Sequence, residues 1–142
     1  MLRGEIDAAS VGSVDALLET YAQVMQDAIE QIGIDTVIER TGIDRATIRA
    51  VRDGDVSSLA LSDAAAILGA HPNRPDGETI AAEARDMLLL GMTTAVVDVD
   101  TLASNMDGQM EPKEIQQKIE GRHPMALGEY AAVHYHLREH VE

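Results

Sequence analysis

The sequence predicts an all-α protein, a helical bundle that contains a helix-turn-helix. Three observations lead there. Apolar residues between Val14 and Ile32 recur at alternating spacings of three and four, the signature of one helical face. Capping residues and glycine stops punctuate the chain at helix-length intervals. The main local dissent is "TTAVVDV" at 93–99, whose β-branched residues prefer a strand, and a lone strand there would have no partner to pair with. A chain of 142 residues is about the usual size of one domain and can bury a sizeable core.

Taken in order, Ser13 is placed to N-cap a long amphipathic helix. In it Val14, Leu17, Leu18, Tyr21, Val24, Met25, Ala28, Ile29 and Ile32 share a face, and Gly33 is its stop. Asp35 is expected to cap a short helix ending at Gly42, Asp44 a second ending at Gly54, and Ser62 a third over "DAAAILGA". "HPNRPDG", residues 71–77, is the proline-rich connector. The pattern then returns. "IDTVIERTG" at 34–42 is echoed by "VDTLASNMDG" at 99–108, and "IRAVRDG" at 48–54 by "IQQKIEG" at 115–121. "LALSDAAAIL" at 59–68 matches "MALGEYAAVHYHL" at 125–137 in its apolar and small positions. The offset runs from 65 to 67 residues, which needs one residue inserted near Gly108 and one removed near Pro124. This is the mark of two tandem four-helix units: 1–70 with the helix-turn-helix, 71–77 as connector, and 78–142 as a diverged second unit packed on the first. The same echo sets "TTAVVDV" opposite "DAIEQIGI", so it is expected to be helical.

Composition narrows the function classes. There is no cysteine, so no disulfide, thiol catalysis or thiolate–metal chemistry is available. The N-terminal "MLRGEIDAAS" has no apolar run and argues against a secretory signal. "MLLLGMTTAVV" at 87–97 is too short to cross a bilayer, so a cytoplasmic protein without a membrane partner is expected. Acidic residues number 25 against 11 basic ones, for a net charge of -14, and only Lys113 and Lys118 are lysines. A dense carboxylate surface keeps a protein hydrated where salt screens its self-repulsion. The balance is similar to that of proteins from extremely halophilic archaea, and in length and composition the chain resembles small haloarchaeal proteins without an established activity. Net charge then says little about partners.

Charge placement says more. Residues 40–52 hold Arg40, Arg45, Arg49 and Arg52 against Asp44 alone, a local excess of three positive charges. A helix, a tight turn at Gly42 and a second helix would project Arg45, Arg49 and Arg52 from one face while Ile48 and Val51 turn inward. The spacing from Gly42 to Ile48 to Gly54, with Val37, Val51 and a following helix, resembles the Cro and phage-repressor type of helix-turn-helix over residues 34–70 and, more loosely, 99–138. The resemblance implies a second helix that enters the major groove. The chain departs from the pattern at Ile38, where a small residue is usual, and at Arg52, where Glu is frequent; its second copy has Leu102 and Ala103 in the usual form but Ile119 in place of that Glu. That copy has an extra residue in its turn, starts its second helix at Pro112 and sets Lys113 and Lys118 against Glu111, Glu114 and Glu120. The first copy is therefore the candidate reader: Arg40, Arg45, Arg49 and Arg52 toward phosphates or guanine edges, with Thr47 adding a hydroxyl.

Catalysis has little support. "HLREH" at 136–140 follows the order of an inverted zinc-peptidase motif, but a third ligand would have to come from His123, Glu129 or His134, and histidines in a final helical turn also complement its dipole. No glycine-rich phosphate loop and no activated serine is visible. The expectation is a noncatalytic DNA-binding transcription regulator of a halophilic archaeon, without cofactor, metal or small-molecule ligand. A homodimer on double-stranded DNA would supply two recognition helices. The alternative is a protein-interaction or self-assembling helical module. Salt counts against the DNA reading, because about four phosphate contacts lose roughly four to five orders of magnitude in affinity between 0.15 M and 3 M salt, so binding would have to rest on base contacts, dimerisation or cations bridging acidic surface and phosphate.

Overall fold

The structure is a computed structural model that describes residues 13–106 and 109–141, with side chains through Leu137. Over these residues the chain runs α1 (Val14–Ile32), α2 (Ile34–Thr41), α3 (Arg45–Arg52), α4 (Leu61–Gly69), α5 (Gly77–Ala95), α6 (Val99–Asn105), α7 (Pro112–Ile119) and α8 (Leu127–Val141). The described residues contain no strand beyond one isolated bridge, between Ala60 and Ala126. The fold is an all-α bundle.

Local chemistry accounts for most of the ends. Ser13 accepts the Ala16 N–H at 3.1 Å and starts α1, whose Leu17, Tyr21, Met25, Ala28 and Ile29 are buried. Gly33, at φ 88°, is the single residue between α1 and α2, a backbone geometry closed to side chains without strain. That single-residue link makes α2 begin at Ile34, so Asp35 sits inside the first turn and does not cap it. The α3 helix starts after Asp44 as expected, although the Asp44 carboxylate accepts from the Thr47 hydroxyl and from no backbone N–H, and the helix closes at Arg52, ahead of Gly54. Ser62 is not a cap either: α4 begins at Leu61. Its leading N–H is already satisfied from elsewhere, by Met125 O at 2.7 Å.

That bond has a twin. Leu127 N–H donates to Leu59 O, also at 2.7 Å. Leu59 to Leu61 and Met125 to Leu127 are matching positions of the two echoed segments, so each segment gives the other what it receives, which is the hydrogen-bond pattern of a two-fold axis between them. Packing follows the same exchange: α1 lies on α8 and α4, and α5 lies on α4 and α8. Within each half, α1 touches α3 and α5 touches α7. One hydrophobic core draws on all eight helices.

The halves differ where the axis makes them comparable. Between α1 and α8 sit Tyr21, Tyr130 and His134, with a 2.6 Å hydrogen bond between the Tyr21 hydroxyl and His134 Nδ1. The tyrosine rings are 5.9 Å apart. Between α4 and α5 the corresponding buried positions are Ala84, Ala64 and Leu68. There the backbones almost touch: a Cβ on Gly69 would come within 2.5 Å of Gly77 N.

The segment 93–99, expected to be helical, is so only in part. The α5 helix extends to Ala95, Val96 turns left-handed at φ 55°, and α6 sets off at Val99 with an axis 95° from that of α5. Val97 N–H bonds Met92 O at 3.0 Å and Val96 N–H bonds Thr93 O at 3.3 Å. This pair closes a helix in the way that normally calls for glycine at the left-handed position. Of the β-branched residues that argued against helix, Val96 and Val97 form the break, while Thr93 and Thr94 are in α5 and Val99 opens α6. The α5 helix also begins at Gly77, capped by Asp76 on Thr79 N–H at 2.8 Å, so the stretch between α4 and α5 is 70–76, shifted by one residue from its sequence limits.

Candidate nucleic-acid interface

The turn between α2 and α3 is built by two short-range contacts. Gly42 takes φ 74° and returns its N–H to Ile38 O. The Thr41 hydroxyl donates to Val37 O and accepts from Ile43 N–H at 3.1 Å, tying the turn to the helix before it. Ile48 and Val51 then anchor α3 in the core at 0 % exposure each. Two buried positions three residues apart leave the opposite face of an eight-residue helix to solvent.

On that face lie Arg45, Arg49 and Arg52, all exposed. Arg45 pairs with Asp35 Oδ1 at 2.5 Å, between side chains that are 47 % and 82 % exposed. An ion pair this open is worth at most about 1 kcal/mol, less in salt, so it yields readily to a phosphate. Arg49 and Arg52 make no ion pair among the described residues, and neither Asp53 nor Asp63 closes over Arg49. The rim of α3 is acidic nonetheless, with Asp35, Asp44, Asp53 and Asp55 exposed around it.

Other proposed contacts lie elsewhere. Arg40 donates to Ala70 O at 2.6 Å, at the C-terminal end of α4, and lines a cleft of about 900 Å³ with Thr41, Ser62, Gly77 and Arg85. Thr47 is half-buried, donates to Asp44 and borders a separate groove toward Asp55 and Asp63. The stripe that the structure brings together is therefore Arg45, Arg49 and Arg52, with Thr47 at its edge and Arg40 outside it.

One positioning residue has no signal in the sequence. Gln26 on α1 donates its amide to Val51 O at 3.1 Å and to Arg52 O at 3.2 Å. It gives Val51 O a second partner beside the Gly54 N–H, gives Arg52 O a side-chain donor, and so ties the end of α3 to α1. A glutamine at the edge of an apolar face looks like any solvated residue until α3 is placed over it.

On the equivalent helix of the second half, one of the two lysines is neutralised. Lys118 is only 13 % exposed, bound to Glu129 at 2.5 Å and Glu114 at 3.1 Å. Burial works against its charge, but the two carboxylates outweigh burial and hold its ammonium above the ordinary lysine range. Glu114 is held below the usual carboxylate range, chiefly by its hydrogen bond from Lys118. Lys113 stays exposed beside Glu111 and Gln116.

For metal, the described residues contain no group of three or more suitable ligands. Glu129 is engaged with Lys118 and the Ala126 N–H, and His134 with Tyr21. The side chains of Glu139 and His140 lie outside the described residues. Among the described residues no single helix is long and apolar enough to cross a membrane.

A family model described as a family of unknown function, DUF5791, matches residues 17–140. No curated protein and no solved structure matches the chain.

Proposed function

The chain belongs to the DUF5791 family of unknown function, and for it we propose a noncatalytic helix-turn-helix protein that binds double-stranded DNA through α3. The observation that carries the reading is Arg49, at the centre of an exposed arginine face and without an ion pair, on a helix whose other side is anchored by Ile48 and Val51. Guanidinium forks suit both phosphate oxygens and the O6/N7 edge of guanine. Arg45 and Arg52 flank Arg49 one turn to either side, toward the backbone. The acidic rim sets the terms: it disfavours nonspecific attraction to DNA, so affinity rests on base contacts made by few side chains. A salt-adapted cytoplasm of a halophilic archaeon suits such a design, because nonspecific binding there is screened already. In this reading the protein acts as a transcription regulator.

Genomic fragments captured at multimolar KCl by the wild-type chain and by Arg49→Ala test the proposal. Enrichment of a common sequence by the wild type, weakened in the variant by about 1–3 kcal/mol of binding free energy with unchanged melting, supports it. Equal recovery by both would leave the arginine face a structural role only. A second reading, a protein-interaction module without DNA contact, is favoured by the carboxylates around α3 and by the buried Lys118 on α7. It takes over if neither protein enriches any sequence.

A further inference from the structure

Two arginines wall the cleft beside α2, and no carboxylate among the described residues holds either of them. Arg40, at the end of α2, gives one donor to Ala70 O at 2.6 Å and has no other hydrogen-bond or ion-pair partner among those residues. Arg85, half-buried on α5, makes neither an ion pair nor a hydrogen bond among them. Packing places it: a Cβ on Gly121, just past the end of α7, would stand 3.1 Å from Arg85 Nε and 3.4 Å from its Cζ. Each guanidinium carries five N–H donors, so most of what the pair can donate is left for whatever enters the cleft. In a chain with 25 acidic residues against 11 basic ones, composition alone would pair both.

The internal two-fold shows that the fold does not require this arrangement. Counted from the capping residues Ser13 and Asp76, the buried Leu17, Tyr21 and Met25 of α1 match the buried Ile80, Ala84 and Leu88 of α5. In that register Arg85 stands where α1 has Ala22, a core methyl, and Ala81 stands where α1 has Leu18, which packs against the core. The second half has thus withdrawn a leucine and added a guanidinium. Gly69 and Gly77, also in the wall, are small for a separate reason, the close approach of α4 to α5.

We propose that this cleft binds a small phosphate monoester, with its phosphate group held between Arg40 and Arg85. A planar carboxylate presents two oxygens, which a single guanidinium fork takes up; a tetrahedral phosphate presents three and can engage forks from two helices at once. The Ser62 hydroxyl of α4, exposed in the same cleft, is a further donor. A volume of about 900 Å³ falls within the range of cavities that take whole small molecules, so the organic part of an ester has room beside Ala66 and Ala81. Acids also line the cleft. The Asp76 carboxylate is engaged with Thr79 N–H at 2.8 Å, where the first turn of α5 offsets its charge, and Glu78 is exposed. Their repulsion is a cost to any anion, so a ligand must engage both guanidiniums to bind. The inference is independent of the DNA reading, and its test contains no DNA.

Calorimetric titration of the full chain with inorganic phosphate and with glycerol 3-phosphate, in dilute and in multimolar KCl, tests the assignment. One saturable site per chain is expected, weaker in concentrated salt. Arg85→Gln should weaken it by about tenfold or more with an unchanged helical circular-dichroism spectrum, because Arg85 makes no bond that the fold would lose. Arg40→Gln should weaken it as much, and the Arg85 variant keeps the test decisive if losing the Ala70 contact disturbs α4. The absence of saturable binding of both probes to the wild type overturns the proposal, as does binding that survives Arg85→Gln. Binding lost in Arg49→Gln and kept in the cleft variants would put the anion on α3 and overturn it too. Succinate bound as tightly as the phosphates would overturn the choice of phosphate.

Discussion

Replacing Val96 by Gly should stabilise the folded chain. A left-handed backbone costs a residue with a Cβ about 1–2 kcal/mol, and β-branching places Val toward the upper end. Glycine removes this cost but loses about 0.5–1 kcal/mol more backbone entropy on folding. The side chain is 90 % exposed, so deleting it forfeits only about a tenth of the roughly 1.5–3 kcal/mol that full burial of a Val would give. The bonds that close α5, from Val97 N–H to Met92 O and from Val96 N–H to Thr93 O, remain available. The net gain is about 0.5–1 kcal/mol, and for a chain of this size the melting midpoint rises by about 2–4 °C. Thermal and urea unfolding of the two chains measure the shift. Val96→Asn should recover part of the effect, because Asn tolerates the left-handed region better than Val. A midpoint that is unchanged or lower for Val96→Gly, with an unchanged urea m-value, would refute the strain argument.

Gly69→Ala should have the opposite sign. Its Cβ would meet Gly77 N at 2.5 Å, and backbone cannot step aside as a flexible side chain can, so about 1–3 kcal/mol should be lost in urea unfolding. A loss below about 0.5 kcal/mol would mean that α4 and α5 separate easily. Alkaline pH probes the other seam. Burial raises both Tyr21 and Tyr130, and the charge of Tyr130 raises Tyr21 further. Below about pH 10 the phenols are protonated in both states and stability does not depend on them. Above it the unfolded chain releases two protons that the folded chain keeps, so stability falls by up to about 1.4 kcal/mol per pH unit for each phenol. Tyr21→Phe should remove about half of that slope in pH-jump unfolding; an unaltered slope would show that Tyr21 ionises freely in the fold.

What the sequence determined by itself is the set of features whose causes lie within a turn or two of helix. The apolar face of α1, the Ser13 cap, the stops at Gly33 and Gly42, the start of α7 at Pro112 and the inward turn of Ile48 and Val51 were legible because periodicity and capping are local. The arginine face of α3 follows from the same periodicity. Tertiary structure decided what depends on distant groups. Ser62 is not a cap because Met125 O, far along the chain, already holds Leu61 N–H. Asp35 pairs across the turn with Arg45, Arg40 turns to Ala70 O, and Lys118 sinks between two glutamates, so equal charges in the string became an open face on α3 and a neutralised one on α7. The break at Val96 falls where the echo sets the Gly33 stop, but residue type did not mark it, because a left-handed Val is locally unfavourable. The two-fold itself shows the division. Echoed spacings suggested two like units, but the tyrosines and His134 of one seam and the glycines of the other acquired their roles only when α1 met α8 and α4 met α5, because side-chain volume matters only against a packed neighbour.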